Sequence, residues 1–307
     1  MQNAEVLLHE LGSSDLRVSR VGLGCNNFGR RLDLEGTRAV VEAALEVGIN
    51  FLDTADIYGG GDSERFLGEV LAGRRDQVVL ATKFGMGDGA RGTRGYMRRA
   101  LADSLKRLTT DYVDLYYYHQ PDETTPIAET VAAMAELVDE GTVRAIGVSN
   151  FSVQQLDEAV EAGPVAALQN RYNLLERGAE ADVLPRCAEL GVSFIPYFPL
   201  ASGLLTGKYR RGEPTPSGTR LEGSDVLTDE AFDEIERLDE FAGARGHSLL
   251  ELAIAGLASQ PAVASVIAGA TQPEQVRANA AAGDWELGEH DLSELSELGR
   301  GRAATGR

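Results

Sequence analysis

The chain has 307 residues, enough for one large α/β barrel or two smaller domains, and at 43% hydrophobic and 25% charged it can bury a sizeable core. A net charge of −19 at pH 7 argues against nucleic acid or an anionic membrane as partner, so any anionic ligand must be held by local donors against the overall field. No apolar run nears the roughly 20 residues of a membrane span, no leader opens the chain, and two cysteines, Cys25 and Cys187, make neither a disulfide framework nor a metal site, so a reducing cytoplasm is expected.

Short apolar segments, Val6 to Glu10 and Leu16 to Val18, flank Gly12-Ser13-Ser14-Asp15 and predict a hairpin ahead of the main fold. A small-residue strand, Val21-Gly22-Leu23-Gly24, then opens into Cys25-Asn26-Asn27-Phe28-Gly29. From there strands and helices alternate. Helix Thr37 to Val47 stops at Gly48, strand Phe51-Leu52 follows, and helix Glu64 to Leu71 leads to strand Val78 to Thr82. A basic helix, Tyr96 to Leu108, is expected to turn Arg98, Arg99, Lys106 and Arg107 to water. Strand Val113 to Tyr118, helix Ile127 to Val138, strand Arg144 to Val148 and helix Val153 to Ala162 come next. Strand Val165 to Leu168, helix Ala181 to Leu190 and strand Val192 to Pro196 precede a long loop rich in glycine and proline. Helices Glu230 to Phe241 and Leu249 to Ser259, strand Val263 to Ala268 and helix Pro273 to Ala282 complete the pattern. A further helix is expected over Leu292 to Leu298, with a tail fraying from Gly299.

Eight strands alternating with helices at the period of βαβ units predict a closed (β/α)₈ TIM barrel, with an N-terminal β-hairpin and extra C-terminal helices, as a single domain over residues 1–307. The competing Rossmann sheet fails on its fingerprint. Gly22-Leu23-Gly24-Cys25-Asn26-Asn27 lacks the third glycine, and no acid ends the next strand at the required offset.

A barrel of this kind carries its site where the strands end. Polar residues collect there: Asp53 with Tyr58 just beyond it, Lys83, His119, Ser149-Asn150, Gln169-Asn170 and Tyr197. Each alone has a plain structural use, Asp53 as a helix cap, Tyr58 as packing, Lys83 as a cation reaching water and His119 as a satisfied core group. Together on one rim they point to proton chemistry.

These residues sit in segments that resemble the aldo-keto reductase family. Phe51-Leu52-Asp53-Thr54-Ala55-Asp56-Ile57-Tyr58-Gly59, Ala81-Thr82-Lys83-Phe84-Gly85 and Asp114-Leu115-Tyr116-Tyr117-Tyr118-His119 are similar to its second, third and fourth strand motifs. Gly147-Val148-Ser149-Asn150-Phe151, the run Tyr197 to Lys208 and the run Gly269 to Asn279 match as well, so the likeness covers nearly the whole chain in order. It implies reduction of aldehydes and ketones by hydride from NADP(H), with NAD(H) also possible. Tyr58 would be the general acid, Lys83 the cation beside a phenol that otherwise titrates near ~10, Asp53 its counter-ion and His119 the group orienting the carbonyl.

For the cofactor, the resemblance assigns Ser149, Asn150 and Gln169 to the nicotinamide carboxamide and Tyr197 to its ring. Phe198, Pro199, Leu200, Gly203, Leu205 and Lys208 would wrap the pyrophosphate, with Gly24, Cys25, Asn26 and Asp53 on the same rim. Gly269, Thr271, Gln275 and Asn279 would hold the adenosine end at the start of the last barrel helix, with Arg277 the one cation in that segment. Phe28, Phe84, Met86 and the loop after His119 are expected to wall a pocket for a small carbonyl substrate, since no long C-terminal flap is evident. Oligomeric state is left open. Two other readings stay in play: a Schiff-base lyase using Lys83, and an NADP(H)-binding sensor subunit with little turnover.

Overall fold

The computed structural model describes residues 8–300. Val6 and Leu7 of the expected hairpin, and the tail from residue 301, lie outside that range, whereas Gly299 and Arg300 belong to the last helix. Strands β1 (Leu8–Glu10) and β2 (Arg17–Ser19) form the antiparallel hairpin, with Leu8 opposite Ser19.

Eight parallel strands close the barrel: β3 (Val21–Gly24), β4 (Phe51–Asp53), β5 (Val79–Phe84), β6 (Val113–Tyr118), β7 (Val143–Ser149), β8 (Val165–Arg171), β9 (Ser193–Tyr197) and β10 (Val266–Gly269). Neighbours follow chain order, and β10 closes the ring by pairing with both β9 and β3. Around it run α1 (Leu34–Glu46), α2 (Asp62–Val70), α3 (Arg94–Leu108), α4 (Ile127–Asp139), α5 (Val153–Ala162), α6 (Val183–Leu190), α7 (Asp229–Gly243), α8 (Leu249–Ala258) and α9 (Pro273–Ala282), with α10 (Glu289–Arg300) after the last barrel helix. Reciprocal capping boxes, Ser152 with Gln155 and Ser248 with Glu251, satisfy free backbone N–H groups at the starts of α5 and α8.

Two apolar layers hold this together. The outer one lies between strands and helices, while the inner one fills the lumen with Phe51, Leu115, Tyr117 and Ile195. The hairpin seals the floor: Leu11, Leu16 and Val18 are buried in that inner layer. Gly12 makes the seal possible, because it takes φ 55° and a Cβ there would lie 2.2 Å from the Ala166 carbonyl oxygen. Its N–H donates to Ser193 Oγ at 2.8 Å.

Three expectations need correction. Helix α1 starts at Leu34 rather than Thr37, because the Asp33 carboxylate accepts from the Gly36 N–H and caps it there. Strand β10 starts at Val266 rather than Val263, since Ala262 turns the chain at φ 69° and Val263 makes only an isolated bridge to Phe194. Arg107 does not face water. It donates at 2.6 Å to Glu64, a fully buried carboxylate that also accepts from Thr82 Oγ1, and so ties α3 to α2 and β5.

Candidate active site

The C-terminal ends of the strands open into a cavity of about 1020 Å³, large enough for a dinucleotide and a small second ligand. Strand β4 is buried over its whole length and ends in Asp53, itself 3% exposed. A carboxylate in such a place needs partners, and it has them: Lys83 Nζ donates to Oδ1 at 2.5 Å and Gln169 Nε2 to Oδ2 at 2.9 Å. Lys83 is fully buried near the end of β5, and its second partner is the Thr54 carbonyl at 2.8 Å. Burial works against its charge, but Asp53 and Tyr58 outweigh burial and its pKa rises, so it remains an ammonium ion.

Tyr58 follows on a short 3₁₀ turn, Tyr58–Gly61, with Lys83 Nζ 5.2 Å from its ring centroid. Burial pushes the phenol pKa up, and Lys83 offsets this only in part, so the phenol keeps its proton at neutral pH. The expected net lowering by Lys83 is therefore overruled by desolvation. His119, just past β6, packs edge-on to Tyr58 with centroids 6.0 Å apart. Burial, followed by the charge of Lys83, drops its pKa to about 3, so the imidazole is neutral. Its Nδ1 is buried without a partner.

All four predicted catalytic residues thus meet at one point, three of them on the cavity wall and Lys83 behind them. Of the cofactor set, Gly24, Cys25, Asn26, Asp53, Ser149, Asn150, Gln169, Tyr197, Phe198, Pro199, Leu200, Gly203, Lys208, Gly269, Thr271, Gln275 and Asn279 all line the cavity. Asn150 is already engaged, donating to the His119 carbonyl and accepting from the Tyr197 hydroxyl at 2.7 Å. Asn150, Phe198 and Ser202 take positive φ values of 61°, 58° and 60°, a concentration of backbone strain along one side of the cavity.

Other expectations fail on packing. Leu205 is fully buried in the outer core and off the cavity wall. Phe28 and Phe84 are also fully buried, Phe84 between Tyr116 and Tyr118 at centroid distances of 4.8 and 5.2 Å, which leaves Met86 as the pocket residue of that trio. Arg277 turns away to pair with Glu46 at 2.9 Å. Thr271 and Gln275 hydrogen-bond each other at the start of α9. Cys25 is fully buried and burial raises its thiol pKa, as it does for Cys187 to about 12, so both thiols are unreactive. Missed from sequence were Asn27, Arg30, Arg31 and Arg220, all on the cavity wall. The adjacent arginines on a rim loop were a readable signal; Arg220, in a long loop without periodicity, was not.

The residues present suit a dinucleotide. Gly203 and Gly269 leave backbone open to close approach, Lys208 supplies charge, and α9 begins at a Gln272 whose side chain does not cap it. Among the described residues no group of His, Cys, Asp and Glu could hold a metal ion, and no helix is long and apolar enough to cross a membrane.

Fold and rim together define an oxidoreductase barrel. The comparisons give the family: the model of the aldo/keto reductase family matches residues 20–300, and the chain belongs to that family. It is 39% identical over 291 residues to a probable voltage-gated potassium channel subunit beta of Oryza sativa subsp. japonica, covering 88% of each chain. It is 36% identical over 293 residues to the L-glyceraldehyde 3-phosphate reductase of Escherichia coli K12, covering 87% of this chain and 85% of the other. The solved aldo-keto reductase AKR11C1 from Bacillus halodurans, in its holo form, superimposes with a TM-score of 0.82 at 33% identity over 96% of each chain.

Proposed function

We propose that the protein is a cytoplasmic, NADPH-dependent reductase of small aldehydes or ketones, working as one barrel domain with Tyr58 as general acid. The observation that carries this reading is the buried Asp53–Lys83 pair beneath a protonated Tyr58 that faces the cavity beside a neutral His119. When bound, the cofactor supplies a hydride, which no side chain can provide. Tyr58 donates its phenolic proton to the carbonyl oxygen as negative charge develops there. Lys83 stabilises the phenolate left behind, and Asp53 holds Lys83 charged and in place. His119, being neutral, contributes a hydrogen bond to the same oxygen rather than a competing proton.

The nicotinamide end would lie against Ser149, Asn150 and Tyr197. One N–H of the Gln169 amide donates to Asp53, which fixes the amide so that its oxygen can accept from a carboxamide. Lys208, with the backbone from Phe198 to Gly203, would hold the pyrophosphate. With Arg277 committed to Glu46, Thr271 and Gln275 are the adenosine-side donors, which leaves NADH a workable alternative. The Schiff-base lyase loses support, because Lys83 is charged, fully buried and absent from the cavity wall. A sensor subunit stands as the second reading, supported by the likeness to the rice protein described as a probable voltage-gated potassium channel subunit beta.

Consumption of the dihydronicotinamide chromophore with small aldehydes and dicarbonyls, run on the parent and Tyr58→Phe, separates these readings. The reductase predicts turnover that falls by roughly 10³ in kcat in Tyr58→Phe while cofactor still binds. Tight NADPH binding without turnover on any carbonyl would favour the sensor, and absence of nucleotide binding would overturn both.

A further inference from the structure

The end of the barrel away from the active site has a cavity of its own, of about 460 Å³, between the hairpin, the end of α8 and the segment joining α9 to α10. That is room for a small molecule rather than for a single water. Its centre of charge is Arg20, which joins β2 to β3 and whose side chain is 12% exposed. A guanidinium so enclosed needs acceptors. Nη2 donates to Ser259 Oγ at 3.0 Å and to the Trp285 carbonyl at 3.5 Å, while Nη1 donates to Glu286 at 3.0 Å.

These bonds leave donors over. Ser259 Oγ accepts a second bond from the Leu287 N–H at 3.1 Å, so both its lone pairs are used and its own proton has no acceptor among the described residues. Arg20 Nε and His9 Nε2 are buried and likewise without partners among those residues. Burial, then the charge of Arg20, lowers the His9 pKa, so the imidazole is neutral and offers a hydrogen bond without adding charge. Among the described residues Glu286 is the one acid on this wall. Its side chain is 72% exposed, so its pair with Arg20 is weak and open to exchange. Val263 and Leu287 add apolar surface beside it. A guanidinium lightly held by a carboxylate, with free donors around it and aliphatic side chains at its edge, matches a small acid with a short hydrocarbon body.

We propose that this floor cavity binds small aliphatic carboxylates, whose carboxylate takes the place of Glu286 on Arg20. The site is independent of the carbonyl chemistry at the other end of the barrel. Trp285, the one tryptophan in the sequence, sits beside it and reports its occupancy. The full-length protein is titrated with butanoate, with butanol and with inorganic phosphate at constant ionic strength, and tryptophan fluorescence is followed. The same series is run on Glu286→Gln and on Arg20→Gln.

Butanoate should give a saturable change in the parent. Butanol and phosphate should bind at least about tenfold more weakly, the first for want of charge and the second for want of an apolar body. Glu286→Gln should bind butanoate roughly two- to fivefold more tightly, because the competing carboxylate is gone. Arg20→Gln should bind it about tenfold more weakly or worse. A general effect of anions on the protein would not run in opposite directions in the two variants. Should Arg20→Gln fail to fold, Glu286→Gln decides alone. Absence of a saturable change in both the parent and Glu286→Gln overturns the proposal, as does equal affinity in these two proteins. Phosphate bound as tightly as butanoate would give the cavity to inorganic oxyanions and overturn the carboxylate assignment.

Discussion

The active-site cavity has two differently built walls. Asp53, Lys83 and His119 come from the ends of β4, β5 and β6 and are at most 5% exposed, and Asp53 holds Lys83 and Gln169 across strands. Arg30, Arg31 and Arg220 come from loops, are exposed, and share one asparagine. The contrast follows from what each wall must do. Proton transfer requires heavy atoms at hydrogen-bonding distance, and here the packed strand ends hold Asp53, Lys83 and His119 around Tyr58 of the following turn. Attraction of an anion falls off slowly with distance, so exposed side chains on loops suffice.

Breaking the strand-built wall should cost the most. Lys83→Met strands a buried Asp53 carboxylate and should destabilise the protein by about 3–5 kcal/mol in urea titration, part of it recovered by adding Asp53→Asn. The double variant Arg30→Gln, Arg31→Gln should instead stay within about 0.5 kcal/mol of the parent, since both side chains are exposed. If both changes cost the same, the distinction between the walls fails.

pH should expose the same contrast by a smaller margin. The phenol of Tyr58 is raised and His119 is held down near about 3, so both keep one protonation state across the neutral range. Carbonyl reduction should then be level from about pH 5 to 9, while the reverse oxidation, which needs the phenolate, should climb by up to about tenfold per pH unit. A bell centred near neutrality for reduction would contradict this.

The smallest effect concerns the turn that joins the walls. Asp56, whose N–H donates to the Lys83 carbonyl, has one carboxylate oxygen buried without a partner. Burial, then the charge of Glu64, raises its pKa to about 6 against the pull of Arg107. The folded chain therefore binds this proton more tightly than the unfolded one, and the group favours folding increasingly as pH drops through 6. Asp56→Asn should be more stable than the parent by about 1 kcal/mol or more at pH 8, an advantage that shrinks below pH 6 and is gone only below about pH 4. Equal stability at both values would show that the carboxylate finds a partner in solution.

Most of the barrel was legible because each strand is a short apolar run and each helix has its own period and stop signal. The quartet was legible for the same reason, since Asp53, Lys83 and His119 stand where an apolar run gives way to polar residues and Tyr58 follows on the turn just beyond Asp53. What escaped depends on contacts between distant segments. Phe84 looks like a loop aromatic until Tyr116 and Tyr118 stack on it, and Leu205 like a pocket residue until the outer core claims it. Arg277 looks like a phosphate ligand until Glu46, 231 positions away, takes it. Arg220 sits in a segment without regular period, and only its bond to Asn27, 193 positions earlier, brings it to the rim.

The sealed floor has a consequence for how the chain is made. Gly12 is clamped by Ser193, 181 positions later, and by the backbone of Ala166. During synthesis, Leu11, Leu16 and Val18 emerge well before β8 and β9 and must wait for them before they can be covered. The nascent chain thus carries its plug bare until those strands emerge, which makes residues 8–19 the natural place for a chaperone to hold it.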